Sequence, residues 1–444
     1  MSFALFVVYL LLTFGRPAEH FVELRDLPII PVASALALAS AAVAVLTGSR
    51  PPLRAPQVAL VFALLIWMAF TVLVNPASYD ERFASLLGFA KSSLTAFLLV
   101  ILNVSSVRRV RAIAFFLTIP AVFLAVQTIS DYKRHTAEAA QAARGDLQTP
   151  GADSEWDEPD AEGKPKVSFS PDQEFRVMQG GLFGDPNDLA LTLIAILPFV
   201  IALRRSGALV RSILFVWLPV VVILYGVYVT RSRGGVLALA CVFGLLVRHR
   251  LGNMLSLATA SVAVLALLGA GFVGNRSMSM DTSATGRVEM WSAGLQNLKQ
   301  SPVWGIGFNN FDAVNNKAAH SAFVQCFAEL GLVGYLLWLG VLLLTLDDLR
   351  LIHASANEEE ADLRKWARAI QVSLIGFLVG SIFLSRAYDV QLFVLIGLGT
   401  AIADVARRRG HRARSRSVLL CTYAVSGTAV ATIIGYWVYM RLHF

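Results

Sequence analysis

The sequence predicts an all-α polytopic membrane protein, and three observations carry that prediction. Of the 444 residues, 56% are hydrophobic and only 15% are charged, with a mean hydropathy of +0.63. The apolar residues come in long blocks, many near the roughly 20 residues that a helix needs to cross a bilayer, and not in the short alternating stretches of a β-barrel. The loops between the blocks also alternate along the chain between basic and acidic-to-neutral, the bias that orients a membrane protein.

Taken in order, the candidate spans are residues 2–15, 28–48, 57–75, 85–103, 110–130, 187–203, 212–230, 234–247, 253–273, 320–346, 367–385, 389–405 and 418–440. Because 2–15 and 234–247 are short, the expectation is about 12–13 transmembrane helices. The first run has no basic segment ahead of it and no small-residue cleavage site behind it, so it reads as a helix and not as a signal peptide.

One set of loops carries Arg50 and Arg54, Arg108, Arg109 and Arg111, Arg204, Arg205 and Arg211, Arg248 and Arg250, the 347–368 linker, and the run from Arg407 to Arg416. The other set is 16–27, 76–84, 131–186, 231–233, 274–319 and 386–388, and it is net acidic. The positive-inside rule puts the first set, with the N-terminus, in the cytoplasm. An odd number of spans puts the C-terminus on the outer face. Two outer segments are long. Residues 131–186 hold an acidic run from Asp153 to Glu162 and are expected to be partly mobile. Residues 274–319 carry Trp291, Trp304, Phe308 and Phe311, and are expected to fold over the outer end of the bundle, helical from Gly286 to Lys299.

Composition also narrows the function. The net charge of +8 is what basic cytoplasmic loops require, so no nucleic-acid partner is called for. Cys241, Cys326 and Cys421 lie in apolar segments with neither disulfide nor metal-ligand spacing, and read as small core residues. No outer cluster of His or acidic residues suggests a metal, and no glycine-rich nucleotide motif is present.

What composition does not explain is positive charge on the outer set. Arg231 and Arg233 share a loop of a few residues in Arg231-Ser-Arg-Gly-Gly235. Arg176 lies ahead of Gly180-Gly-Leu-Phe-Gly-Asp185-Pro-Asn187, Arg287 follows Thr285-Gly, and Arg386 occupies the short turn Ser385-Arg386-Ala-Tyr388. A single arginine at a helix end is ordinarily an interfacial anchor, the reading given to Arg82 and Arg276. Several converging on one face fit a phosphate, because the guanidinium fork donates paired hydrogen bonds and stays charged. A diphosphate on a lipid would sit at that interface with its tail in the bilayer. His320, which opens a span, is the natural general base of the group. Glu329 lies deep in the same span and reads as an interhelical structural partner. Asp185 reads as an N-cap with Pro186 at the first helical position, next to Asn187, while Asp389 either caps the following helix or pairs with Arg386.

Phe183-Gly-Asp-Pro-Asn187, Arg231-Ser-Arg-Gly-Gly235, Thr285-Gly-Arg287-x3-Trp291, Gly305-x-Gly-x-x-x-Phe311 and His320-Ser-x-Phe-x4-Ala-Glu329-Leu-Gly-x-x-Gly334 together resemble the O-antigen ligase/polymerase superfamily. The resemblance implies a metal- and cofactor-independent glycosyltransferase of the bacterial inner membrane with a periplasmic active site. Such an enzyme moves a preassembled glycan from undecaprenyl diphosphate to an acceptor hydroxyl: a lipid A–core sugar in ligases, a lipid-linked repeat in polymerases, a protein Ser or Thr in O-glycosylation ligases. It implies His320 as the base and Arg231, Arg233 and Arg287 as holders of the donor diphosphate, with Arg176 as a further candidate; from their places in the sequence, Arg386 joins the diphosphate candidates and Glu329, Asn187 and Asp185 read in supporting roles. Many relatives have His-Asn where this chain has His320-Ser, and the Ser385-to-Tyr388 turn resembles members grouped with exosortase systems. A transporter or flippase of an anionic lipid or solute is the rival from another class. It requires charged groups along a path through both leaflets, and the candidates here lie on one face.

Overall fold

A computed structural model describes residues 2–17, 22–24, 27–48, 55–75, 79–143, 185–205, 207, 209–248, 282–355, 360–410 and 418–443. Arg176, Arg276, the acidic run 153–162 and the expected span 253–273 lie outside these. The described chain is helical: α1 Ser2–Gly15, α2 Ile29–Leu46, α3 Pro56–Val74, α4 Tyr79–Asn103, α5 Val107–Ala143, α6 Pro186–Ala202, α7 Leu209–Val229, α8 233–248, α9 Thr282–Gln300, α10 Phe311–Asn315, α11 Ala322–Ser355, α12 Ala361–Gly380, α13 Val390–Arg408 and α14 Val418–His443. Among the described residues there is no strand, and the protein is an all-α polytopic membrane protein. Among the described residues eight helices (α2 to α5, α7 and α11 to α13) are long and apolar enough to cross a membrane, while α1, α6 and residues 425–439 of α14 are shorter apolar helices.

Each expected span within the described residues is met by a helix. One boundary differs: α5 does not stop near 130 but runs on to Ala143. Residues 131–143 are rich in alanine and contain neither Gly nor Pro, so nothing local ends the helix.

The chain divides into two compact units. Unit 1 comprises Met1–Tyr9, Ile30–Ile113 and Ser277–Phe444, and unit 2 Leu10–Ile29 and Ala114–Arg276. In unit 1, α11 is central, packing against α3, α9, α12, α13 and α14. At one end of the unit, Gln57 Nε2 donates to Asp348 Oδ2 at 2.8 Å, Arg111 pairs with Asp362 at 2.6 Å and Ser2 Oγ donates to Asn103 at 2.7 Å. The basic loops around 108–111, 347–350 and 407 thus meet at one end, together with the start of α1. His320 lies at the other end, and so does the last part of α14, because the Tyr436 and Ser321 hydroxyls are 2.7 Å apart. Ser2 and Tyr436 therefore lie toward opposite ends of the unit.

A break in α11 shapes the end that carries His320. Gly331 takes φ 64° and ψ −169°, which interrupts the helical ladder and leaves carbonyls without their usual partners. Residues 302–307 and Trp67 on α3 supply substitutes. Ile306 N donates to Ala328 O and Gly307 N to Glu329 O, both at 2.9 Å; Leu332 N donates to Pro302 O at 2.8 Å; and Trp67 Nε1 donates to Leu330 O at 2.8 Å. A Cβ on Gly305 would lie 2.4 Å from Glu329 O, and one on Gly331 2.3 Å from Val303 O. The Gly305-x-Gly and Glu-Leu-Gly-x-x-Gly motifs are therefore two halves of one joint, in which the chain over 302–307 is set into a broken membrane helix.

Arg82 belongs to the same joint. It is not a snorkelling anchor at the surface: it is 2% exposed, its guanidinium donates to Asn75 O, and a Cβ on Gly307 would lie 2.5 Å from its NH1. The loop that covers Gly307 takes Arg82 out of solvent.

In unit 2, α7 packs against α6. At Gly226 the approach is close: an added Cβ would lie 2.8 Å from Ala125 Cβ on α5. Small residues allow this contact between membrane helices.

Candidate active site

His320 takes a left-handed φ of 50°, uncommon outside glycine. Strain of this kind costs about 1–3 kcal/mol and gathers at functional sites. Its backbone N–H donates to Ser385 Oγ at 2.9 Å, which ties the start of α11 to the turn between α12 and α13. That turn is fixed along its length. Ala387 N donates to Gln325 Oε1 at 3.3 Å, Trp338 Nε1 donates to Ala387 O at 2.9 Å, and Ser93 Oγ donates to Tyr388 O at 2.7 Å. Ser93 lies in a π-turn of α4, Ala90–Leu94, the kind of bulge that re-aims a side chain.

Arg386 projects from this turn. Its guanidinium meets Asp389 Oδ2 at 3.5 Å, while Asp389 Oδ1 accepts from Gln391 N at 2.7 Å. Asp389 therefore both caps α13 and faces Arg386. Arg287, on α9, lies over the ring of Phe383 at 5.9 Å, two residues before Ser385. Unit 1 thus brings Arg287, His320 and Arg386 together around residues 383–389.

Asp312, on α10, was given no role from sequence and belongs to this group. Burial raises its carboxyl above the usual range, and the nearby His320 acts in the opposite direction. Glu329 sits behind it, 1% exposed, with Oε1 accepting from Phe311 N at 3.3 Å. Its carboxyl holds the backbone that leads into α10. The Tyr388 hydroxyl lies against Glu329 and Cys326, and burial, with that carboxyl beside it, raises its pKa well above the usual phenol range.

An aromatic group adjoins His320. The Tyr436 ring is 5.0 Å and the Tyr439 ring 5.6 Å from that of Trp291. Trp291 is 7% exposed, and its indole N–H meets no acceptor among the described residues. A buried donor left unmet costs about 1–3 kcal/mol. Sequence reading noticed Trp291 but not Tyr436, whose place depends on packing more than a hundred residues away in the chain.

In unit 2, Asp185 caps α6: Oδ1 accepts from Asn187 N at 2.9 Å and from Asn187 Nδ2 at 2.7 Å, with Pro186 at the first position. Asn187 Oδ1 in turn accepts from Ser232 Oγ at 2.7 Å, and Ser232 Oγ accepts from Gly235 N at 3.0 Å. The Asp185-Pro-Asn and Arg231-Ser-Arg-Gly-Gly motifs are thus locked together through Ser232, which is 1% exposed. Gly235 allows the closeness, since a Cβ there would meet Ala190 Cβ at 3.1 Å. From this lock come Arg231, with φ 51° and its guanidinium 4.9 Å from the Tyr228 ring centre, and Arg233, which opens α8. Both are partly exposed.

Residues 218–339 match a family model described as O-Antigen ligase. The matched stretch contains Arg231, Arg233, Arg287 and His320, and also both halves of the joint at Gly331. No curated protein matches the chain. Through residues 218–339 the chain carries an O-antigen ligase domain, which supports the resemblance of its motifs to the O-antigen ligase superfamily.

Proposed function

We propose that this protein is a ligase-type glycosyltransferase of the inner membrane, moving a preassembled glycan from undecaprenyl diphosphate to a lipid A–core hydroxyl at the periplasmic face. What supports the reading most is the meeting of Arg287, His320 and Arg386 at the end of unit 1 away from the basic loops. In the proposed reaction His320 accepts the proton of the acceptor hydroxyl. The acceptor oxygen forms its bond to the anomeric carbon as the bond from that carbon to the diphosphate oxygen breaks. The electron pair leaves on the lipid diphosphate and the sugar centre inverts. Arg287 and Arg386 meet the charge that develops on the leaving group; Arg231, Arg233 and Arg176 are candidates for donor diphosphate binding from their sequence motifs. Residues 282–319 cover the site in this reading, held by the joint at Gly331.

The test is product identification by mass. Purified protein in liposomes is given undecaprenyl-diphosphate-linked oligosaccharide with lipid A–core, an acceptor protein and excess lipid-linked repeat in competition. Glycan on lipid A–core is the expected product. Glycan on the repeat would make the protein a polymerase, and on Ser or Thr a protein ligase. Donor moved across the bilayer with no glycosidic product would reverse the reading in favour of a flippase.

A further inference from the structure

Trp291 is a member of the quoted motifs to which the proposed chemistry gives no work. It sits four residues after Arg287 on α9, hence on the same helix face. Its ring packs against that of Tyr436, 5.0 Å away, and the Tyr436 hydroxyl is 2.7 Å from the Ser321 hydroxyl, the residue after His320. The aromatic group is therefore tied on one side to the proposed phosphate-binding arginine and on the other to the proposed base. In a direct displacement, the sugar under attack lies between the acceptor oxygen at the base and the departing diphosphate at the arginines. The aromatic group adjoins both features, one helical turn from Arg287 and in contact with the residue after His320.

Its chemistry suits a sugar. The C–H faces of a pyranose pack on aromatic rings while its hydroxyls need hydrogen-bond partners, and Trp and Tyr supply an apolar body with a polar tip. Tyr439 presents a 40% exposed ring beside Trp291. Trp291, 7% exposed, keeps an indole N–H for which no acceptor is found among the described residues. Buried polar groups in native structures are nearly all hydrogen-bonded, so a donor of this kind calls for an explanation. An aromatic residue serving only as an interfacial anchor belongs at the level of the headgroups, and there a buried N–H has no purpose.

We infer that Trp291, Tyr436 and Tyr439 form the subsite for the reducing-end sugar of the donor glycan, with the exposed Tyr439 ring against its C–H face, Tyr436 backing Trp291, and Trp291 Nε1 donating to one of its oxygens. This rests on the glycosyltransferase reading and adds to it where the transferred sugar lies.

The test compares two probes on the full-length protein in liposomes: undecaprenyl diphosphate bearing the oligosaccharide, and undecaprenyl diphosphate alone. Trp291→Phe keeps a ring and removes the N–H, and Tyr439→Ala removes the exposed ring. Each is expected to weaken binding of the sugar-bearing donor about tenfold, the order of one hydrogen bond or ring contact, with binding of the bare lipid unchanged. Arg287→Ala is expected to weaken both. Equal weakening of both probes by Trp291→Phe, or of neither, would overturn the subsite; the first would make Trp291 a packing or headgroup-binding residue, the second an anchor. Sugar-dependent binding in a protein that transfers nothing would overturn the enzyme reading while keeping the subsite. Normal transfer without sugar dependence would do the reverse.

Discussion

Replacing Gly331 with alanine attacks the joint that holds the chain over 302–307 in the broken helix. With φ 64° and ψ −169°, the residue occupies a region open essentially to glycine alone, at a cost of about 1–3 kcal/mol for any other. The added Cβ would also lie 2.3 Å from Val303 O and 2.7 Å from Gly305 N. Both are backbone atoms, so the loop itself must move. That puts at risk the bonds from Ile306 N to Ala328 O, Gly307 N to Glu329 O and Leu332 N to Pro302 O, each worth about 0.5–1.5 kcal/mol net. Strain plus partial loss of these bonds comes to about 3–5 kcal/mol, a large share of the 5–15 kcal/mol or so that holds a typical protein together. Hydrogen exchange on the reconstituted variant is expected to show faster amide exchange confined to residues 301–311 and 322–332, with glycan transfer sharply reduced. Parent-like exchange and transfer in Gly331→Ala would refute the joint and its role in shaping the site.

Three further outcomes follow from the same geometry. Arg231→Ala, Arg233→Ala and Arg287→Ala should each weaken donor binding about tenfold to a hundredfold, since a charge-assisted hydrogen bond is worth about 1.5–3 kcal/mol; normal donor affinity in all three would remove the phosphate clamp. Ser232→Ala deletes the hydroxyl that joins Asn187 to Gly235 N and should cost about 1–3 kcal/mol through the groups left unmet, read as a lower Tm. Asp312→Asn should move the acid limb of the rate profile to lower pH. The carboxylate interacts with His320, and its negative charge favours imidazolium, so removing it lets the base stay neutral to lower pH; an unmoved limb would separate Asp312 from the base.

How much of this could be read from the sequence depends on the range of the interaction concerned. The spans were legible because hydropathy is a local property. The Asp185 cap was legible because it closes within a few residues, and the grouping of the basic loops because each carries its own charge. The end of α5 was misjudged because apolarity stops near 130 while helix propensity does not. Arg82 was misread because its burial depends on Gly307, far along the chain. The pairing of Gly305 with Gly331, the Ser232 lock and the approach of Tyr436 to Ser321 leave no mark in one sequence beyond the presence of a glycine or a hydroxyl. Asp312 offered a faint signal, an acid close to the aromatic run of the outer loop, without indicating which residue it faces.

The central claim is that His320 is the base of a transfer reaction fed by a lipid diphosphate. The most direct measurement is the rate of glycan transfer by His320→Ala in liposomes, with donor binding measured on the same preparation. The account predicts transfer lowered about a hundredfold to ten-thousandfold, the range for loss of a general base, and donor binding unchanged. Transfer at the parent rate by a protein without the His320 imidazole would contradict it.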